Sequence, residues 1–180
     1  MLEIVLPDIK YINSIKKAIA EYHKFPSPFD INSIKKLDMI LNNNIGEYFK
    51  SIENNREGIG LKKGYVPSTT LWLIKNDEYI GSFDVRHYLT DNLLNIGGHI
   101  AYEIIPSQRK KGYVQAGLKL VLKYCKEKLH IDKALLTCRF KNEASYKAMT
   151  TVMKECGGFI DEPYIDNEIK EHRVWINTSF

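Results

Sequence analysis

The segment from Ile104 to Leu122, IIPSQRKKGYVQAGLKLVL, restricts the fold more than any other part of the chain. It begins as an apolar strand that stops at Pro106, and after Gly112 it continues with the apolar spacing of a helix. The short connection between them carries three consecutive cations, starting at Arg109. Because like charges in a tight loop repel each other, this arrangement favours either a bound anion or full contact with solvent.

The start of a helix that follows such a loop is well suited to an anion. Its first backbone N–H groups have no acceptor within the helix, and the helix dipole adds partial positive charge there. Gly112 has no Cβ, so the backbone can turn tightly and approach a ligand closely. The cations before it can add charge-assisted hydrogen bonds. The segment therefore predicts a phosphate or pyrophosphate site, with a solvated basic loop as the alternative.

The rest of the chain has the apolar patterns of a mixed α+β fold with a largely antiparallel sheet. Strands are predicted at 2–6, 69–74, 79–89, 97–105 and 133–140, with closing strands in FIDEP and EHRVWIN. Helices are predicted at 9–22, from a cap at Asp30 through Tyr48 or beyond, at 113–129, and at 142–156 before Gly157 and Gly158. The segments 51–70 and 90–95 are expected to be loops.

Composition narrows the class of protein. The chain has 180 residues, which suits one domain, and it has no apolar run near the roughly 18–20 residues of a membrane span. Its net charge of +4 suits anionic small molecules but is too dispersed to indicate nucleic acid. Cys125, Cys138 and Cys156 are odd in number and have no CxxC spacing. We therefore expect reduced thiols in a cytoplasmic protein.

Other common ligand motifs do not fit. The P-loop pattern is absent, and Gly58, Gly60 and Gly64 approach the dinucleotide-binding spacing after a polar stretch rather than after a strand. His87 and His99 have neither metal-ligand spacing nor cysteine partners, so no metal is predicted.

Residues 109–114, RKKGYV, resemble the [RQ]-x-x-G-x-[GA] signature of the GNAT superfamily of N-acyltransferases. The strand ALLTCRF then leads to Asn142, where the next motif of that family is expected. Over residues 66–176, the segments VPSTTLWLI, IGSFDVRHYL, GGHIAYEIIPSQRKKGY and TCRFKNEAS are similar to a subgroup of predicted acetyltransferases. The resemblance implies an α+β fold in which a twisted, mixed, largely antiparallel sheet is flanked by helices.

The resemblance also implies an activity and a division of the chain. We expect one domain over 1–180, with an acetyl-coenzyme A-binding core over 66–177 and a helical acceptor-side region over 1–65. The expected reaction moves an acetyl group from acetyl-coenzyme A to a primary amine by direct attack. The residues implied to bind the cofactor are Ile104 and Ile105 along the pantetheine arm, the backbone of Arg109, Lys110, Lys111, Gly112, Tyr113 and Val114 around the pyrophosphate, Asn142 on the arm, and Lys147 on the phosphates.

Catalytic groups are less clearly indicated. The family often has a tyrosine seven residues after the asparagine, as the acid that protonates the departing thiolate, but this chain has Met149 there and Tyr146 nearby. An acceptor ammonium must lose a proton before it attacks, so a general base is needed. Strand alternation places His99 and Glu103 on one face before the cofactor loop. These two are candidate bases, with a structural histidine and a solvated glutamate as the alternatives.

Two departures from the family pattern keep another class of function open. Val114 stands where the signature usually has Gly or Ala, and Met149 lacks a hydroxyl. Both favour a non-catalytic acyl-coenzyme A-binding or sensor protein as the alternative. A nucleic-acid module on the lysine face of 119–128 is less favoured, because no aromatic platform accompanies it. We expect a small-molecule or peptide amine as acceptor, no nucleic-acid or membrane partner, and leave open a homodimer.

Overall fold

A computed structural model describes residues 1–27, 31–42 and 44–180, and it describes the backbone alone at 31–33. The strands are β1 Leu2–Val5, β2 Ser68–Lys75, β3 Glu78–Arg86, β4 Ile100–Ile104, β5 Lys133–Arg139, β6 Gly158–Asp166 and β7 Ile169–Asn177. The helices are α1 Ile12–Lys24, α2 Ile31–Leu41, α3 Ile45–Glu57, α4 Asp91–Asn95, α5 Tyr113–Leu129 and α6 Glu143–Cys156. The predicted α+β fold with a largely antiparallel sheet is confirmed.

The described strands form two antiparallel sheets, with the orders β1-β2-β3-β4 and β5-β7-β6. The sheets are joined where the His99 N–H donates to the Leu135 carbonyl at 2.7 Å and the Leu135 N–H donates to His99 Nδ1 at 3.0 Å. A Cβ on Gly98 would lie 2.4 Å from the Leu135 oxygen, so only glycine permits this approach. Beyond the junction, β4 pairs only with β3 among the described strands. Its other edge therefore faces an opening between the sheets.

The first sheet buries both of its faces. Alternate residues of β2, such as Leu71 and Leu73, pack with α5 and α6 in one apolar cluster. Trp72 and Ile74 point the other way and pack with α1, α2 and α3 in a second cluster. Strands buried on both faces read as continuous apolar runs, which explains the pattern TTLWLI. A residue of β4 thus faces either the α5 side or the side covered by the N-terminal helices.

The N-terminal helices differ from their prediction. The single helix expected through Tyr48 is two helices, because α2 ends at Leu41 and α3 begins at Ile45. Leu41, the last residue of α2, is 42% exposed. The predicted cap Asp30 lies outside the described residues.

Residues 51–57 were predicted as loop and are helical, since α3 continues to Glu57 and ends at Gly58 in the left-handed conformation. Most residues of α3 are polar, and only one residue per turn is buried, at Tyr48 and Ile52. The loop predicted at 90–95 contains α4, which Thr90 caps through the Leu93 N–H. A short polar helix of this kind has too few apolar positions to show periodicity.

The cysteines are buried, and the two tryptophans differ in exposure. Cys125, Cys138 and Cys156 are free, buried thiols. Trp72 is fully buried, whereas Trp175 is partly exposed. Within the described residues, no helix is both long and apolar enough to cross a membrane.

Candidate active site

The loop after β4 makes a tight approach to the start of α5. A turn of 3-10 helix covers Pro106–Gln108, and Lys110 and Gly112 then take left-handed backbone angles, with φ of 61° and 80°. Gly112 is the N-cap of α5, and its carbonyl accepts the N–H of Ala116 at 3.1 Å. The positive φ of Gly112 favours glycine, and a Cβ there would meet nothing within 4 Å, so the space around this residue is open. The first N–H groups of α5 point into this space.

The three cations of the loop have different roles. Arg109 Nε donates to the Ile104 carbonyl at 3.0 Å, so this side chain folds back onto β4. Lys110 and Lys111 are exposed beside the helix start, and Lys111 Nζ donates to Gln108 Oε1 at 3.1 Å. Only part of the basic triplet is therefore available to an anion.

Two further residues support this loop from distant parts of the sequence. Lys75 Nζ donates to the Tyr113 hydroxyl at 2.7 Å, which adds a cation at the first turn of α5. Glu21 on α1 accepts two hydrogen bonds from Ser107, one from its backbone N–H and one from its Oγ at 2.9 Å. Sequence reasoning missed both, since they lie 38 and 86 residues from their partners.

Val114 does not crowd the loop. Its side chain is half-buried and packs against the apolar cluster between the sheet and α5. The core therefore accommodates a branched residue at position 114. Val114 in place of the Gly or Ala of the family signature does not by itself block an anion at the loop.

The peptide groups of β4 alternate between its two edges. The Ile105 N–H donates to the Ile80 carbonyl on β3 at 3.0 Å. In an antiparallel pair the intervening residues turn their peptide groups the other way, so those of Tyr102 and Ile104 face the opening between the sheets. The sequence predicts that the backbone of both Ile104 and Ile105 lies along the pantetheine arm. The structure places their backbone groups on opposite edges of β4.

Consecutive side chains of β4 place a phenol and a carboxylate on opposite faces. The Tyr102 hydroxyl lies on the α5 side, 2.7 Å from Ser145 Oγ at the start of α6. Burial raises the pKa of Tyr102 well above its usual value, so the hydroxyl keeps its proton at neutral pH. Glu103 lies on the side of the N-terminal helices, is 7% exposed, and accepts from Ser82 Oγ at 3.1 Å. Tyr102 was not identified from the sequence, because its partner Ser145 is distant along the chain.

His99 lies at the junction of the two sheets rather than beside Glu103. Its Nδ1 accepts the Leu135 N–H, which places the proton of the neutral ring on Nε2. Burial, helped by the charge of Arg86, lowers the pKa of His99 to about 4. Four residues of strand separate the two predicted bases, about 13 Å, so the structure does not bring them together.

The predicted residues around α6 are separated too. Asn142 caps the helix by accepting the Ser145 N–H at 3.2 Å. The Tyr146 ring stacks on His172 with 3.8 Å between ring centroids, and Lys147 is exposed. Met149, at the position of the family tyrosine, is fully buried in the core. Among the described residues, no group of three His, Cys, Asp or Glu side chains could hold a metal ion.

Comparison with known proteins identifies the family. Residues 34–153 match the model described as the Acetyltransferase (GNAT) domain, which is more than half of the chain. No curated protein matches the chain in sequence.

Solved structures share the fold over nearly the whole chain. One is the RimL ribosomal L7/L12 alpha-N-protein acetyltransferase with coenzyme A, at TM-score 0.61 and 12% identity, with 99% of this chain and 96% of that chain covered. The MccE microcin C7 self-immunity acetyltransferase, with acetyl-CoA and AMP, has TM-score 0.61, 15% identity and coverages of 98% and 92%. The spermidine N-acetyltransferase of Vibrio cholerae, with CoA and spermine, has TM-score 0.56, 15% identity and coverages of 98% and 95%. With the family match over residues 34–153, the chain belongs to the GNAT acetyltransferase family.

Proposed function

We propose that this protein transfers an acetyl group from acetyl-coenzyme A to a primary amine by direct attack of the amine on the thioester. The observation that carries the proposal is the open edge of β4, which leads directly to the uncovered start of α5 with Lys110 and Lys111 beside it. An extended pantetheine arm can pair with such an edge as an added strand does. A pyrophosphate fits the helix start.

The cofactor is held by backbone groups in this proposal. N–H groups of residues 110–115 receive the pyrophosphate, and Lys147 adds charge from α6. The Ile104 N–H faces the opening between the sheets and polarises the thioester carbonyl. Asn142, at the start of α6, offers its amide to the arm. The solved relatives that carry CoA or acetyl-CoA support this choice of cofactor.

Glu103 is the proposed general base, because its carboxylate precedes Ile104 and faces the N-terminal helices, the expected acceptor side. We propose no direct role for His99, whose Nδ1 holds the second sheet and whose lowered pKa makes it a weak base. The reacting ammonium transfers its proton to Glu103, and its nitrogen attacks the carbonyl carbon. The new C–N bond forms, the nitrogen releases its second proton to solvent, the C–S bond breaks, and the thiolate leaves.

Tyr102 is the proposed proton donor for the departing thiolate, in preference to the stacked Tyr146, although its raised pKa makes it a weaker acid than an ordinary tyrosine. It projects from β4 on the face opposite Glu103, so the two groups flank the Ile104 peptide. We expect Tyr102→Phe to lower kcat about tenfold with little change in the KM for acetyl-coenzyme A. Steady-state kinetics would check this, with Tyr146→Phe measured alongside. A larger loss of kcat in Tyr146→Phe than in Tyr102→Phe would return the role to Tyr146.

The contact of Glu21 with Ser107 is expected to matter for cofactor binding. Glu21→Gln removes the charge that accepts both hydrogen bonds, and about 1 kcal/mol of lost loop positioning corresponds to a roughly fivefold higher KM for acetyl-coenzyme A. Ser107→Ala should act in the same direction, and the double variant should be no worse than the stronger single one. Glu47→Gln, an exposed glutamate on α3, is the matched control. Unchanged KM values in both single variants would contradict this role.

The activity itself is tested by following release of the coenzyme A thiol with a panel of primary amines. Amine-dependent release is expected. The alternative, a non-catalytic acyl-coenzyme A-binding or sensor protein, is supported by the buried Met149 in place of a tyrosine. Binding of acetyl-coenzyme A without amine-dependent release from any amine would favour that alternative. The free, buried cysteines support a reducing, cytoplasmic setting for either activity.

A further inference from the structure

Arg86, the last residue of β3, holds the three residues that precede β4. Its Nη1 donates to the Gly97 carbonyl at 2.8 Å and to the Gly98 carbonyl at 2.9 Å. Its backbone N–H donates to the His99 carbonyl at 2.8 Å. One residue of the first sheet therefore fixes the carbonyls of three successive residues, 97–99, which we name the bridge segment.

The N–H groups of the bridge segment reach the second sheet. The Gly97 N–H donates to Thr137 Oγ1 at 2.8 Å, and the His99 N–H donates to the Leu135 carbonyl at 2.7 Å. Both acceptors belong to β5. The bridge segment therefore connects β3, through Arg86, to β5, and it lies where the two sheets are joined.

The guanidinium packs directly on the backbone of the bridge segment. Gly97 and Gly98 have φ of 107° and 57°, which favours glycine at both positions. A Cβ on Gly97 would lie 3.2 Å from Leu93 Cδ2 and 3.5 Å from Arg86 Nη1. Arg86 is half-buried and Gly98 is buried, so hydrogen bonds between them are partly shielded from water. Removing the guanidinium would take a charged donor from two carbonyls, which is costly at a buried position.

The bridge segment is the point from which the opening between the sheets widens. β4 begins at Ile100, immediately after it, and continues to Ile104. The five residues from His99 to Ile104 span about 17 Å of strand. A rotation of about 3–4° at the bridge segment would therefore shift the Ile104 peptide by about 1 Å relative to β5. Misplacement on this scale is enough to impair a positioned site.

We propose that Arg86 is a positioning residue for the pantetheine arm of coenzyme A. By holding the bridge segment, its guanidinium sets the separation between β4 and β5 in which the arm lies. This inference rests on the proposed cofactor site and adds the residue that controls its width. Arg86 acts through the peptides of Gly97 and Gly98 and not by touching the cofactor. The nucleotide end of the cofactor, at the loop before α5, does not depend on it.

The test compares two ligands by isothermal titration calorimetry. Coenzyme A has the arm, whereas adenosine 3′,5′-bisphosphate keeps the nucleotide and lacks the arm. The ratio of their dissociation constants measures the contribution of the arm. Partial unfolding of a variant leaves this ratio unchanged, because a loss of binding-competent protein weakens both ligands by the same factor. A merely structural role of Arg86 would therefore not change the ratio.

Arg86→Met removes the guanidinium and keeps an unbranched side chain. We expect the dissociation constant of coenzyme A to rise by at least about tenfold and that of the bisphosphate to change by less than about twofold. Arg86→Lys keeps the charge and should have a smaller effect in the same direction. It provides the same comparison if Arg86→Met does not fold. The matched control is Arg56→Met, because Arg56 is also half-buried but bonds Glu53 and Glu57 on α3. It should keep the wild-type ratio.

The outcomes separate this inference from the proposed function. A wild-type ratio in the Arg86 variants, or equal weakening of both ligands, would overturn the role of Arg86 and leave the cofactor site intact. A wild type that binds neither ligand would overturn the cofactor site and this inference with it.

Discussion

Replacing Glu103 with glutamine is expected to lower kcat by about 100-fold or more, within the range that a positioned general base contributes. Glutamine has nearly the same shape and keeps an oxygen for the Ser82 hydroxyl, so the local fold should persist. What is lost is the group that accepts the proton of the attacking ammonium. Because Glu103 lies on the face away from the cofactor helix, the KM for acetyl-coenzyme A should change by less than about twofold.

Glu171→Gln is the matched control for this variant. Glu171 is also a buried acid, 3% exposed, but it lies on β7 and pairs with Arg139 at 2.9 Å. Its kcat should stay near the wild-type value. A Glu103→Gln enzyme that keeps kcat within about threefold of the wild type would show that the proton leaves by another route.

The second large effect concerns stability at acidic pH. Burial lowers the pKa of His99 to about 4, below the ordinary value of 6.5. The unfolded chain therefore binds a proton at His99 at a higher pH than the folded protein does. The stability present above pH 6.5 is lost progressively as the pH falls towards 4, and the full difference amounts to about 3 kcal/mol.

Denaturant unfolding at several pH values measures this loss. His99→Asn keeps a side-chain acceptor for the Leu135 N–H and removes the titrating group. The wild type should lose about 3 kcal/mol more than His99→Asn between pH 7 and 4, and the difference between the two curves excludes the carboxylates that titrate in both. Parallel curves would mean that His99 is protonated in the folded protein at an ordinary pH.

The cofactor loop could be predicted because its determinants are adjacent in sequence. Pro106 ends the strand, Gly112 allows the left-handed turn, and the apolar positions of α5 repeat with helical spacing. The same holds for β2 and β3, whose apolar runs are separated by a short turn at Asn76 and Asp77. Local pattern and tertiary position agree in these segments.

The parts of the fold and of the site that could not be predicted depend on contacts between residues far apart in the sequence. No local pattern pairs Glu21 with Ser107, or Lys75 with Tyr113, or shows that Arg109 turns back to a strand carbonyl. The helix at 51–57 was missed because most of its residues are polar and tertiary packing of Ile52 stabilises it.

The central claim is that the loop before α5 binds the pyrophosphate of acetyl-coenzyme A. A ligand at about 100 times its dissociation constant should add roughly 2.7 kcal/mol of stability, or roughly 5–10 °C in Tm for a chain of this length. We would measure this shift in the wild type, in the double variant Lys110→Glu/Lys111→Glu, and in Lys123→Glu/Lys128→Glu. The last pair changes the same charge at exposed positions farther along α5. The account predicts a full shift in the wild type and the α5 control and little or none in the loop variant. An unshifted wild type, or an equal shift in all three proteins, would contradict it.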